Sequence, residues 1–235
     1  MQLEVNITGK SFESAAGKRH DVLADVTFTL NAGEVGVVFG PSGCGKSTLL
    51  RILAGLDHNY QGRVVRPSVR LGMVFQEPRL LPWRSVEENV RLASPHVDQA
   101  RLAALFELLE LTAHRHHFPG ELSLGLARRV ALARAFAVEP NFLILDEPLA
   151  SLDNALAGRL REQIATLVAS RKMMTLLVTH DLDDAVRLGD RLFFLSARPA
   201  RIIHVETIAA PRATRSEQEI TAIKARLSQL DLANM

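Results

Sequence analysis

The 235-residue chain carries 28 basic and 26 acidic side chains, a formal net charge of +2, and 47% apolar residues, the composition of an ordinary folded protein. A chain of this length buries most of its apolar surface without covalent help. The single cysteine, Cys44, has no second thiol to bridge, so a disulfide scaffold is excluded and a reducing compartment fits. Basic and acidic residues are interleaved, which argues against nucleic acid as a partner, and no run of eighteen apolar residues offers a membrane span.

From the N-terminus, Met1–Gly9 lacks the basic-then-apolar pattern of a secretory leader. Leu3–Thr8 and Val26–Leu30 alternate apolar with polar residues, and Asn31-Ala-Gly33 turns the chain after the second. Both read as antiparallel strands with one buried face. Val35–Phe39 is apolar almost throughout and runs straight into Gly40-Pro41-Ser42-Gly43, after which a helical pattern starts at Lys46 with Leu49, Leu50, Ile52 and Leu53.

Strand-like runs disappear between about Val86 and Val138. Leu102, Leu105, Phe106 and Leu109 fall on one helix face, Pro119-Gly120 interrupts, and a second helix is expected from about Ser123 to Val138. Its inward side is read as Leu126, Val130, Ala133 and Ala137, with Arg128 and Arg129 off that face. This predicts a helical subdomain at about 86–138 inserted in an α/β core. Phe142–Leu145 and Thr175–Thr179 are two more buried strands, ending at Asp146 and His180, as expected where parallel strands deliver functional groups at their carboxyl ends. Leu192–Leu195 and Ile202–Val205 flank Pro199 as a peripheral pair, and Ser216–Leu232, within a C-terminal segment at 213–235, reads as a terminal helix.

Gly40-Pro41-Ser42-Gly43-Cys44-Gly45-Lys46-Ser47 matches G-x-x-x-x-G-K-[ST] between a predicted buried strand and a predicted helix. Glycines let successive backbone N–H groups face one concave nest, and the helix start adds its positive dipole end, which together seat a polyphosphate. In that seat Lys46 reaches the β- and γ-phosphates and the Ser47 hydroxyl ligates magnesium, a hard ion that prefers oxygen. Leu143-Ile-Leu-Asp146-Glu147-Pro148 ends an apolar strand on two adjacent carboxylates, one suited to magnesium (Asp146) and one to activating water as a general base (Glu147). Gln76 ends Met73-Val-Phe75 and is a neutral candidate for orienting magnesium and water. His114, His116 and His117 have no cysteine or carboxylate at ligand spacing and read as solvated loop histidines. Cys44 sits in an electropositive loop, so a thiol reagent is expected to block nucleotide binding and bound nucleotide to protect the thiol; the alternative is a small residue filling a small space.

The order Lys46, Gln76, Ser123, Asp146-Glu147, Asp153, His180 resembles the ATP-binding subunit of an ABC transporter, over about Leu3 to Ala210. The resemblance implies a P-loop NTPase (RecA-like) α/β core with an antiparallel β subdomain and an inserted helical subdomain, the whole of 1–235 forming one cassette. It implies a phosphate loop at Gly40–Thr48, a Q-loop glutamine at Gln76, a D-loop at Ala150-Ser-Leu-Asp153, a switch histidine at His180 against the γ-phosphate, and Phe12 as the aromatic that stacks on adenine. ATP and magnesium are the implied cofactors. Such subunits pair head-to-tail, most simply as a homodimer, each ATP lying between one phosphate loop and the partner's signature. Here the signature reads Leu122-Ser123-Leu124-Gly125-Leu126, keeping Ser123 and Gly125 while Leu124 and Leu126 replace a glycine and a glutamine. Leucine at 124 tolerates fewer backbone conformations than glycine, so a looser approach to phosphate is expected.

Gly72–Trp83 and Ser196-Ala-Arg-Pro-Ala-Arg201-Ile are similar to the versions in importers of nitrate, sulfonate and taurine. That similarity implies a separate membrane permease, an extracytoplasmic solute-binding protein acting indirectly, no nucleic acid, and a peripheral place on the cytoplasmic face of the membrane. Trp83 is either an anchor for a permease helix or folded back on its own subdomain. The competing readings are a DNA-repair or translation clamp, which would carry a long coiled coil or a second cassette; a lipid-handling or export cassette; and a P-loop kinase, which gives no reason for Ser123, Asp153 and His180 in this order.

Overall fold

The computed structural model describes residues 2–14, 17–66, 70–170 and 172–229. In chain order the elements are β1 (Gln2–Glu13), β2 (Arg19–Leu23), β3 (Val26–Asn31), β4 (Val35–Phe39), α1 (Lys46–Leu53), β5 (Gln61–Val65), β6 (Leu71–Val74), α2 (Val86–Arg91), α3 (Gln99–Leu108), α4 (Leu124–Ala137), β7 (Phe142–Asp146), α5 (Asn154–Ala169), β8 (Met174–Thr179), α6 (Leu182–Leu188), β9 (Arg191–Leu195), β10 (Ile202–Thr207) and α7 (Glu217–Ser228). Among the described residues no helix is long and apolar enough to cross a membrane. The described residues divide into two compact units, Met1–Ser68 with Met174–Met235, and Val69–Met173.

The first unit holds two sheets. In one, β1 sends Leu3, Val5 and Ile7 inward, each at most 2% exposed, and pairs antiparallel with β3 from Gln2↔Asn31 to Ile7↔Val26. Its other edge pairs with β5, and beyond Gly9 β1 pairs with β2; both partners are too short and polar to stand out in the sequence. In the other, β4 is central, parallel to β8 from Val35↔Thr175 to Phe39↔Thr179 and to β9 from Gly36↔Arg191 to Phe39↔Phe194. The expected peripheral pair is therefore half right. Only β10 lies outside, antiparallel to β9, with Ile203 and Val205 exposed. β9 is core because its aromatics have partners there: Phe193 lies 4.6 Å from Phe28 and Phe194 5.4 Å from Phe39, ring centre to ring centre. The expected terminal helix is α7; residues 230–235 lie outside the described residues.

In the second unit β6 runs parallel to β7, from Leu71↔Phe142 to Val74↔Leu145, and every residue of β7 is buried. α2 and α3 both pack on α4. Leu102, Leu105, Phe106 and Leu109 are buried together, as their spacing predicts. One expectation for α4 fails: Arg128 and Arg129 are 6% and 5% exposed, not off the packed face. The helix is covered nearly all round, and each guanidinium is received by a partner, Pro148 O at 3.1 Å for Arg128 and Glu110 Oε2 at 2.5 Å for Arg129.

Candidate functional site

The first unit carries the phosphate loop. β4 ends at Phe39, and the chain then turns through Gly43 at φ 77° and Gly45 at φ 133°, a region that side chains with a Cβ rarely enter. Gly45 is also wedged: a Cβ there would stand 2.9 Å from Leu23 Cδ2, 3.0 Å from Val22 Cγ1 and 3.2 Å from Val22 O. Val22 and Leu23 are held in turn by Ala200, whose N–H donates to Val22 O at 2.9 Å. No described side chain caps α1, whose N-cap is Gly45 itself. Lys46 is 6% exposed, and its ammonium donates to the carbonyls of Gly40 (2.8 Å) and Pro41 (2.9 Å), which aims it back across the loop. A lysine held across a glycine-rich turn at a helix start is a candidate seat for a polyanion.

β8, next to β4, ends at Thr179, so His180 leaves the sheet from the same edge as the phosphate loop. His180 is exposed, and α6 follows it, capped by the Asp181 carboxylate, which accepts from Asp183 N and Asp184 N. α7 holds α6 through a bidentate Arg187–Glu217 pair with both contacts at 2.6 Å and through Lys224 Nζ on Asp183 Oδ1 at 2.8 Å. Arg215 closes the other end of α6 by donating to Val186 O (2.5 Å) and Gly189 O (2.7 Å). Phe12 is 47% exposed, with Lys10 Nζ 4.5 Å from its ring centre. It lines an open groove of about 430 Å³ with Arg19, Asn59 and Tyr60.

The second unit carries the carboxylates and the signature. Asp146 ends β7 at 8% exposure. Glu147 follows at φ 46° and Ser151 sits at φ 61°, two non-glycine residues in the left-handed region flanking a turn in which Ala150 N donates to Glu147 O at 3.3 Å. Asp153 caps α5 through Leu156 N at 2.9 Å. Ser123 caps α4 through Leu126 N at 3.3 Å, and Gly125 is packed so that a Cβ would meet Leu156 Cδ2 at 2.5 Å. Leu124 opens the helix with its side chain 46% exposed. Gln76 is exposed just past β6. The carbonyls of Pro78 and Arg79 downstream of it are tied to Arg134 of α4, at 2.7 and 2.8 Å.

These arrangements have known counterparts. The sequence profile of the ABC transporter family matches residues 23–150. The aliphatic sulfonates import ATP-binding protein SsuB of Bacillus licheniformis is 41% identical over 213 residues, covering 86% of this chain and 83% of the relative. SsuB 2 of Burkholderia lata is 42% identical over 237 residues, 96% of this chain and 84% of the relative.

The chain belongs to the ABC transporter family.

A solved dimeric ATP-binding cassette in a post-hydrolysis state with ADP and Pi superposes at a TM-score of 0.78, with 26% identity over 90% of this chain and all of that one. This cassette therefore has the ABC ATPase fold, an α/β P-loop NTPase architecture, and ATP binding and hydrolysis are its activity.

Two sequence expectations about the cassette change. Cys44 is 2% exposed, and burial pushes its thiol above the ordinary range despite nearby Lys46, which weighs against the expected reactivity and favours a small residue filling a small space. The physical reason is the loop's inner wall: a Cβ at Gly40 would lie 3.3 Å from Cys44 Sγ. Trp83 is 71% exposed, which removes the folded-back alternative. Its turn is built by Asn89, wholly buried, whose Oδ1 accepts from Leu81 N (2.8 Å) while Nδ2 donates to Leu81 O, Arg84 O and Ser85 O. Sequence reading missed Asn89, Arg134 and Arg128. Asn89 lay in plain view as a polar residue in an otherwise amphipathic turn; the two arginines gave no signal because their partners are backbone carbonyls far along the chain. His114 and His117 share a hydrogen bond between Nδ1 atoms at 3.0 Å, and among the described residues no group of three or more metal-ligating side chains occurs.

Proposed function

We propose that this cassette is the ATP-hydrolysing subunit of an importer for aliphatic sulfonates, working as a head-to-tail homodimer beneath a separate membrane permease. The observation that carries the reading is identity of 38–42% to aliphatic sulfonate import ATP-binding proteins along most of both chains, including SsuB of Bacillus subtilis at 38% over 97% of this chain. The whole chain is read as one cassette, with α2–α4 as its inserted helical subdomain and α7 as its C-terminal element. It sits on the cytoplasmic face of the membrane, and a solute-binding protein delivers the sulfonate to the permease.

Each residue has a task in that cycle. Gly40–Thr48 wraps the phosphates, with Lys46 on the β- and γ-groups, and Phe12 stacks on adenine. The Ser47 hydroxyl, the Gln76 side-chain carbonyl and the Asp146 carboxylate each offer an oxygen of the kind magnesium selects and would hold the ion, which would neutralise charge on the phosphate oxygens. Glu147 takes a proton from water as the water oxygen attacks the γ-phosphorus; the bond to the bridging oxygen breaks and ADP leaves. His180 donates a hydrogen bond to the γ-phosphate. Ser123 and the backbone N–H groups near Gly125 complete the partner's site, and Asp153 carries the loop that meets it. ATP closes the dimer, hydrolysis opens it, and the segment from Gln76 to Trp83 conveys the motion to a permease helix.

Deleting the gene tests the transport role. Growth on an alkanesulfonate as sole sulfur source is expected to fail while growth on sulfate continues, and equal growth on both would contradict the reading.

A further inference from the structure

Arg128 has no part in the roles above, yet its setting is unusual. It lies in the second turn of α4, the helix that Ser123 caps and Leu124 and Gly125 begin. Its side chain is 6% exposed, its NH1 donates to Pro148 O at 3.1 Å, and its Nε is buried with no partner among the described residues. Pro148 is bonded to Glu147, whose left-handed backbone is strained and persists only where its surroundings hold it. Burial disfavours the Arg128 cation and the Glu147 carboxylate favours it, so the two groups feel one another. A buried guanidinium with one neutral acceptor and one nearby carboxylate has little freedom to leave either.

We propose that Arg128 is the positioning residue for Glu147: it ties the Glu147-Pro148 turn to the signature helix, so that the seating of that helix sets the aim of the carboxylate that activates water. The inference rests on the proposed head-to-tail dimer. There the signature acts on one nucleotide of the pair and Glu147 on the other, so Arg128 couples the two ATP sites, a link with two distinct sites and a physical connection between them. A second consequence is cooperativity: filling the site that the signature faces improves hydrolysis at the site that Glu147 serves.

The test is a double-mutant cycle between Arg128→Met and Glu147→Gln, read by ATP turnover against ATP concentration, by binding of trinitrophenyl-ATP, and by thermal melting. Arg128→Met is expected to lower kcat by about tenfold, to move the Hill coefficient toward one, and to leave nucleotide affinity within about twofold. On top of Glu147→Gln the same change is expected to cost less than about twofold, because its route of action is already gone. Turnover and Hill coefficient matching wild type, or an equal loss in both backgrounds, would overturn the proposal. Should Arg128→Met melt far below wild type, Arg128→Lys decides: it keeps the charge and loses the planar fork, so reduced kcat at unchanged melting temperature supports the proposal and full kcat overturns it. Turnover left unchanged by Glu147→Gln alone overturns the functional reading itself, and this inference with it.

Discussion

α1 and α4 both begin at motifs to which the proposed function assigns phosphate, and they begin in opposite ways. α1 starts from Gly45 at φ 133°, wedged against Val22 and Leu23, with no described side chain capping it. α4 starts from Ser123 in ordinary extended backbone (φ −65°, ψ 159°), and the serine hydroxyl caps Leu126 N. The first depends on a conformation only glycine adopts comfortably; the second depends on a hydroxyl and one small residue, Gly125. This difference bears on Leu124, one of the two departures in the signature. Leu124 occupies the first helical position, where no positive φ is required, and points its side chain outward. Leu124 therefore sits in this helix start without backbone strain.

The largest effect is expected where glycine is irreplaceable. Gly45→Ala combines a disfavoured φ with contact against backbone, so nucleotide affinity is expected to fall by on the order of a hundredfold or more, measured by fluorescent nucleotide titration. Near-normal affinity would erase the contrast between the two helix starts. Ser123→Ala is next: loss of the cap costs about 1 kcal/mol of stability by denaturant melts, and turnover drops while nucleotide affinity of the isolated subunit holds. Leu124→Gly sharpens the comparison from the other side, with about 0.5–1 kcal/mol lost in stability and turnover within about twofold of wild type.

The smallest effect lies on α6, behind His180. Burial raises the Asp183 carboxyl, but hydrogen bonds from Lys224 and Arg187 outweigh it and hold the group below its ordinary range. A depressed folded pKa gives stability that is present above the unfolded value, near 3.9, and is lost as pH falls through the folded one. Asp183→Asn is therefore expected to cost about 1 kcal/mol at pH 7, with the difference from wild type shrinking as pH drops below about 4. A gap that stays constant with pH would show that the ion pairs are not its source.

How much was legible follows the same contrast. The phosphate loop could be read in advance because Gly40, Gly45, Lys46 and Ser47 are dictated by local geometry and sit between a buried strand and a helix. Asp146, Glu147 and His180 were legible as polar residues ending apolar runs. What was not legible depends on distant partners: the burial of Arg128 and Arg129 and the central place of β9. An arginine that satisfies a far backbone carbonyl looks, in sequence, like an arginine facing water. β2 and β5 failed for a related reason, since RHDVL and QGRVV become strands only because β1 offers them an edge.

The central claim is that Glu147 activates water at an ATP shared between two copies of this chain. Glu147→Gln, purified and mixed with ATP and magnesium, tests it directly by phosphate release and by light scattering on the same sample. The account predicts nucleotide affinity within about threefold of wild type, turnover reduced by about a hundredfold or more, and a dimer that persists in ATP. Turnover within about twofold of wild type, or a monomer in saturating ATP, would contradict it.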